Sequence, residues 1–136
     1  DQFRMSLGIA PKEINNYKPD EVIRHLNTKL TSLGAQSFIE LVEYGMRPNQ
    51  TSILGHRFIL AEKIAAIFEL LDMLGYWKDK HTSTSNYARF WDSNHVSYAT
   101  ACDYFICNDF RTRKKAQVVY GLFNIKTKVL NSDGLP

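Results

Sequence analysis

Residues 102–130 read CDYFICNDFRTRKKAQVVYGLFNIKTKVL, and the fold turns on how this stretch is parsed. An apolar run at 104–107 stops at Asn108-Asp109. A helix-like pattern then opens with Arg111, Arg113, Lys114 and Lys115, cations at the helix end whose dipole favours anions. A second apolar run follows at 127–130. The parse is strand (104–107), helix (110–123) and strand (127–130), and a right-handed crossover makes such strands parallel neighbours. In parallel sheets ligands bind beyond the carboxyl ends of the strands, where Asn108 and Asp109 fall. Asp109 is therefore a functional acid or the N-cap of the following helix, a position that Asp fills well.

A second acid comes from the preceding helix, which carries WDSNHVSYATAC at 91–102. Only a tight turn at Cys102-Asp103 separates it from the first strand, so the two run antiparallel. From Thr100 back to Asp92 the helix retreats ~12 Å. From Tyr104 on to Asn108 the strand advances ~13 Å. Asp92 is thus expected level with Asn108 and Asp109. At about 100° per residue, Arg89, Ser93, Ser97 and Thr100 form the expected wet face, and Ala88, Trp91, His95, Ala99 and Cys102 the expected buried one. Asp92 lies on the border. Two carboxylates converging at a carboxyl edge suit a hard divalent cation such as Mg²⁺. The alternative for Asp92 is an ion pair with a nearby Arg.

The remaining sequence is read as mostly helical. At 136 residues, 44% apolar and 12% aromatic, the chain has the means for one core and too much apolar content for disorder. Helices are predicted at 21–30, 34–46, 50–76 and 85–102, with a polar loop at 78–86 and a short apolar helical tail at 1–9. The 50–76 helix is apolar over wide faces and is expected at the centre of the core. Net charge is only +3, but six cations stand against one acid between positions 109 and 128. Cys102 and Cys107 have no metal-ligand spacing, which fits a reducing, cytoplasmic setting. No apolar run approaches membrane-spanning length, and nothing resembles a signal peptide.

The span from WDSNHVSYATACDYFICNDFRTRKKA through NIKTKVL resembles the C-terminal part of a PIN domain, a metal-dependent nuclease fold. In that pattern an Asp opens a helix, a short strand ends in a small polar residue and an Asp, and a helix and final strand follow. Asp92 matches the family's third acid, Asp109 its fourth, and Asn108 the small polar position. The family's second acid, a Glu on an earlier helix, falls near Glu40 or Glu43, with Glu43 preferred. The first acid ends an N-terminal strand that has no counterpart in these residues, where Asp1-Gln2 follows no strand.

The resemblance implies an α/β, mostly helical PIN-like three-layer fold with a small parallel sheet. It divides into a helical part at 1–83 and a helix–strand–helix–strand core at 84–136 that carries the acids. This is read as one incomplete domain of a longer protein, whose exposed sheet edge invites self-association. The implied activity is phosphodiester hydrolysis, in RNA first of all, with Asp92, Asp109 and Glu43 as catalytic acids. Asp92 and Asp109 would hold Mg²⁺ or Mn²⁺. Asn108, Arg111, Arg113, Lys114 and Lys115 would then meet phosphates, which explains cations opposing a helix dipole. The alternative is a solvated helix start whose charge Asp109 partly neutralises. The competing function is a non-catalytic helical interaction or regulatory module that keeps only a remnant of the fold. His95 is expected to be a core histidine, and His25, His56 and His81 show no metal spacing. Tyr76 or Trp77 could stack a base, although aromatics at a helix end are usually core.

Overall fold

The computed structural model describes residues 2–32, 34, 37–45, 60–79 and 83–136. Among the described residues, six α-helices and two strands follow in the order α1 (Gln2–Ser6), α2 (Pro19–Ser32), α3 (Phe38–Gly45), α4 (Leu60–Leu74), α5 (Ser83–Ala99), β1 (Tyr104–Ile106), α6 (Phe110–Leu122) and β2 (Lys128–Leu130), with a 3₁₀ turn at Glu13–Asn16. The molecule is mostly helical, with a two-stranded parallel sheet. Predicted helix boundaries at 46–59 lie outside the described residues. The 3₁₀ turn, held at its start by Glu13 accepting the Ala10 N–H at 2.7 Å, is additional.

Local chemistry explains several helix starts. α2 opens on Pro19, whose missing N–H costs nothing in the first turn. Glu21 reaches back to the Lys18 N–H at 3.2 Å. α3 carries a reciprocal capping box: Glu40 accepts the Ser37 N–H at 2.9 Å, and the Ser37 hydroxyl accepts the Glu40 N–H at 3.4 Å. α4 ends in a Schellman turn at Gly75, φ 91°, with Gly75 N–H to Asp72 O and Tyr76 N–H to Leu71 O. A side chain at Gly75 would also press on Arg4, whose Cδ lies 3.2 Å from a built Cβ. That turn throws Trp77 and Asp79 toward the start of α6.

Ile64, Ile67, Phe68 and Leu71 of α4 are buried with Val22, Leu26 and Leu30 of α2, as the apolar spacing predicts, and Leu74 joins them; Ile23, on the same spacing, is half-buried and Leu60 is exposed. Each such side chain contributes roughly 1.5–3 kcal/mol when fully removed from water. α6 closes this core with Ala116, Val118, Val119 and Tyr120. The Tyr120 hydroxyl donates to Val96 O at 2.7 Å, and the Thr127 hydroxyl meets Ala99 O and Cys102 O at 3.0 and 2.8 Å. These bonds lock the end of α5 onto the sheet unit.

β1 and β2 are parallel, with Tyr104, Phe105 and Ile106 opposite Lys128, Val129 and Leu130. Helix α6 joins them, so the strand–helix–strand parse holds, each strand being one residue shorter than predicted. One sheet face buries Val129 and half-buries Phe105, whereas Tyr104 and Ile106 on the other are exposed. The orientation of α5 reverses much of the expectation. Arg89 and Ser93, assigned to the wet face, are buried, and Ser97 and Thr100 are half-buried; of the residues assigned to the core, Ala99 is buried but Ala88, Trp91, His95 and Cys102 are exposed. His95 is therefore not a core histidine. The cause is a charge partner invisible to periodicity: Arg89 Nε bonds Glu69 at 3.0 Å, and its Nη1 lies 3.5 Å from Asp72, both on α4.

Candidate acidic site at the carboxyl edge of the sheet

Asp109 leaves β1 in an extended conformation and caps α6. Its Oδ1 accepts the Arg111 N–H at 3.0 Å, and its Oδ2 accepts the Thr112 hydroxyl at 2.8 Å. Asp92 approaches the same hydroxyl from α5. Thr112 has a single proton to give, so it serves one carboxylate at a time. Burial raises the Asp92 pKa; Thr112 opposes that shift, the Asp109 and Asp79 charges add to it, and His95 lowers it. The expectation that Asp92 and Asp109 come together at the end of β1 agrees with this coupling. Among the described residues neither carboxylate has an ion-pair partner; Arg47 and Arg57 lie outside the described residues. Cys107 stands beside them, its thiol 3.8 Å from Asp109 O and its pKa raised by burial and then by both carboxylates.

Beneath the pair lies an ionic cluster that the sequence reading missed. Lys115, 1% exposed, places its ammonium 3.2 Å from Asp72 and 3.1 Å from Asp79. Asp79 also takes Arg111 at 3.2 Å. Asp72 accepts the Asp79 N–H at 2.8 Å, which ties the turn after α4 to its own last helical turn. The available signal was an acid inside the apolar run LLDML of α4 and a lysine on the apolar face of α6.

This cluster revises the list of phosphate-binding candidates. Lys115 is buried between two aspartates rather than presented to a ligand. Arg113 is turned inward too, its Nη1 donating to Cys107 O at 2.9 Å and Asn108 O at 3.0 Å. It thereby satisfies carbonyls at the end of β1. Asn108 accepts the Ser132 N–H at 2.9 Å and anchors the segment after β2. Of the four cations only Arg111 and Lys114 are part-exposed; the Lys114 ammonium lies 5.2 Å from the Phe110 ring centre. The cations at the start of α6 are thus explained mainly by acids and carbonyls inside the protein.

Glu43 lies on α3 and pairs with Lys63 of α4 at 2.9 Å. The third carboxylate felt at Asp92 is Asp79, not Glu43. Among the described residues no three His, Cys, Asp or Glu side chains converge as a metal-binding group. His25 stacks on Tyr17 at 4.0 Å and faces Glu13; His56 and His81 lie outside the described residues. No helix among the described residues is long and apolar enough to cross a membrane. The chain matches no protein-family model, no curated protein and no solved structure.

Proposed function

We propose that Asp92 and Asp109 form the acidic centre of a metal-dependent phosphodiester hydrolase acting on RNA, in keeping with the PIN-like reading of residues 91–130. The observation that carries it is a pair of carboxylates without a salt bridge among the described residues, flanking one hydroxyl at the carboxyl edge of a parallel sheet, one of them raised in pKa. Two hard oxygen donors suit Mg²⁺ or Mn²⁺, ions that keep several waters and are commonly held by one or two carboxylates plus substrate phosphate. When bound, such an ion acidifies water and stabilises negative charge developing on the phosphate. The chain's own residues do the positioning. Thr112 and the first turn of α6 orient Asp109; Arg113 braces the end of β1; Arg111, held by Asp79, stands at the rim where a phosphate would approach.

Mn²⁺ titration followed by thermal melting tests this. The parent should gain stability with Mn²⁺ by mass action. Asp92→Asn and Asp109→Asn should lose most of that gain and any Mn²⁺-dependent cleavage of RNA. A parent melting temperature indifferent to Mn²⁺ would favour the other reading, an interaction module. One observation supports that second reading: Tyr87, Phe90, Trp91 and Tyr98 of α5 are exposed, while its charged residues Arg89 and Asp92 face inward.

A further inference from the structure

Beside Asp109, the turn after α4, the start of α6 and the segment around Lys12 and Asn15 line a cavity of about 400 Å³. Trp77 and Phe110 form its aromatic walls, ring centres 4.7 Å apart and nearly perpendicular. Lys12, Lys78 and Arg111 line it together with the acid Asp109. We infer that this cavity is a nucleoside-phosphate subsite, with the base against Trp77 and Phe110 and the phosphate toward the three cations. The inference rests on the hydrolase reading only for what occupies it in a longer strand.

Three features support it. The volume lies within the usual range for small-ligand sites, which are largely apolar with a few placed polar groups. Aromatic faces beside cations are the general means of holding a nucleotide without reading its sequence. The backbone is also held in a costly shape there: Lys12 and Trp77 both have positive φ, 62° and 43°, in a region that side chains rarely adopt. Such conformations persist where surrounding structure imposes them, and they cluster at ligand sites. The restraint on Trp77 is specific. Its N–H donates to Asn15 Oδ1 at 2.8 Å, bridging 62 positions of sequence. The Arg111 guanidinium has five N–H donors. Its bond to Asp79 therefore leaves others for a phosphate. Asp109, by contrast, spends both oxygens on α6, so it opposes an entering phosphate with charge alone.

Intrinsic fluorescence in EDTA tests the subsite without any metal. In a Trp91→Phe background Trp77 is the only tryptophan, the chain having two. Adenosine monophosphate should quench it saturably, and inorganic phosphate or adenosine should bind about tenfold more weakly or worse. Lys12→Gln and Lys78→Glu should each weaken nucleotide binding, as should Phe110→Leu, all three leaving Trp77 as the reporter. The two lysine variants keep the test decisive if the phenylalanine variant fails to fold. A five-nucleotide single strand binding more tightly than the mononucleotide would identify a strand as the occupant; equal binding would identify a free nucleotide. Absence of saturable quenching at millimolar nucleotide, or phosphate competing as well as the nucleotide, overturns the proposal. Saturable binding in EDTA alongside no Mn²⁺-dependent cleavage would reject the hydrolase reading and leave the subsite standing.

Discussion

Asp72 and Asp79 meet α6 through Lys115 and Arg111, whereas Asp92 and Asp109 meet it through Thr112, a neutral hydroxyl. The first pair is matched by cations: Lys115 lies between the two acids, with Arg89 beside Asp72. Among the described residues the second pair makes no salt bridge, and burial and then the Asp109 charge raise the pKa of Asp92. Acids whose charge the protein balances are part of its frame. Acids left unbalanced at a surface edge retain affinity for a cation from outside. Substitutions separate these roles because they should move stability in opposite directions.

The largest effect is expected inside the frame. Lys115→Met removes the cation between Asp72 and Asp79 and puts an apolar end beside two carboxylates. Breaking a buried pair by removing one partner costs about 3–5 kcal/mol. Arg89 still faces Asp72, so the lower end of that range applies. Urea denaturation should show it, and Asp72→Asn in the Lys115→Met background should recover part of the loss. If Lys115→Met is neutral, the cluster is no frame and the contrast with Asp92 and Asp109 collapses.

How far the sequence revealed this contrast depends on where each partner sits. The strand–helix–strand unit was legible because its apolar runs, Asn108-Asp109 break and helical period are all local. The approach of Asp92 to Asp109 was legible because one tight turn and two known rises determine it. The frame was not. Lys115 finds its acids 43 and 36 positions away, and Arg89 finds Glu69 20 positions away. Hydrophobic period ranks side chains by polarity, so a buried arginine or lysine with a distant partner is read as solvated. That omission reversed much of α5 and made Lys115 look like a phosphate ligand; Arg113 was misread for another reason, since its partners are backbone carbonyls five and six positions away.

A middle-sized effect is expected at Asp109, which caps α6 and in the proposed function also holds the cation. Asp109→Ala removes the cap from α6 and the acceptor for Thr112, costing about 0.5–2 kcal/mol with or without metal. Asp109→Asn retains capping and should cost only a few tenths. Thermal melts of both variants, with and without Mn²⁺, divide the residue's work. A metal response that survives in Asp109→Asn would restrict it to capping.

Asp92→Asn should have the smallest effect, opposite in sign, and it tests the contrast most directly. The folded pKa of Asp92 lies above its unfolded value, because burial and then the neighbouring carboxylates outweigh Thr112 and His95. Between the two values the folded chain therefore holds this proton more tightly than the unfolded chain does. Stability from Asp92 is fully present at low pH and is lost as pH rises through the folded pKa. Asn carries no titrating proton, so the variant's advantage over the parent should appear across that window and persist to neutral pH. Glu13 and Glu40 titrate with the reverse sign, their pKa values lowered by the backbone N–H of Ala10 and the side chain of Ser37 respectively. Both are present in parent and variant, so they cancel in the difference. The measurement is urea stability of the two proteins from pH 3 upward in EDTA, then with Mn²⁺ at neutral pH. A variant less stable than the parent at neutral pH would make Asp92 another balanced acid of the frame. A variant more stable in EDTA but less responsive to Mn²⁺ would identify it as an acid left unbalanced for a cation.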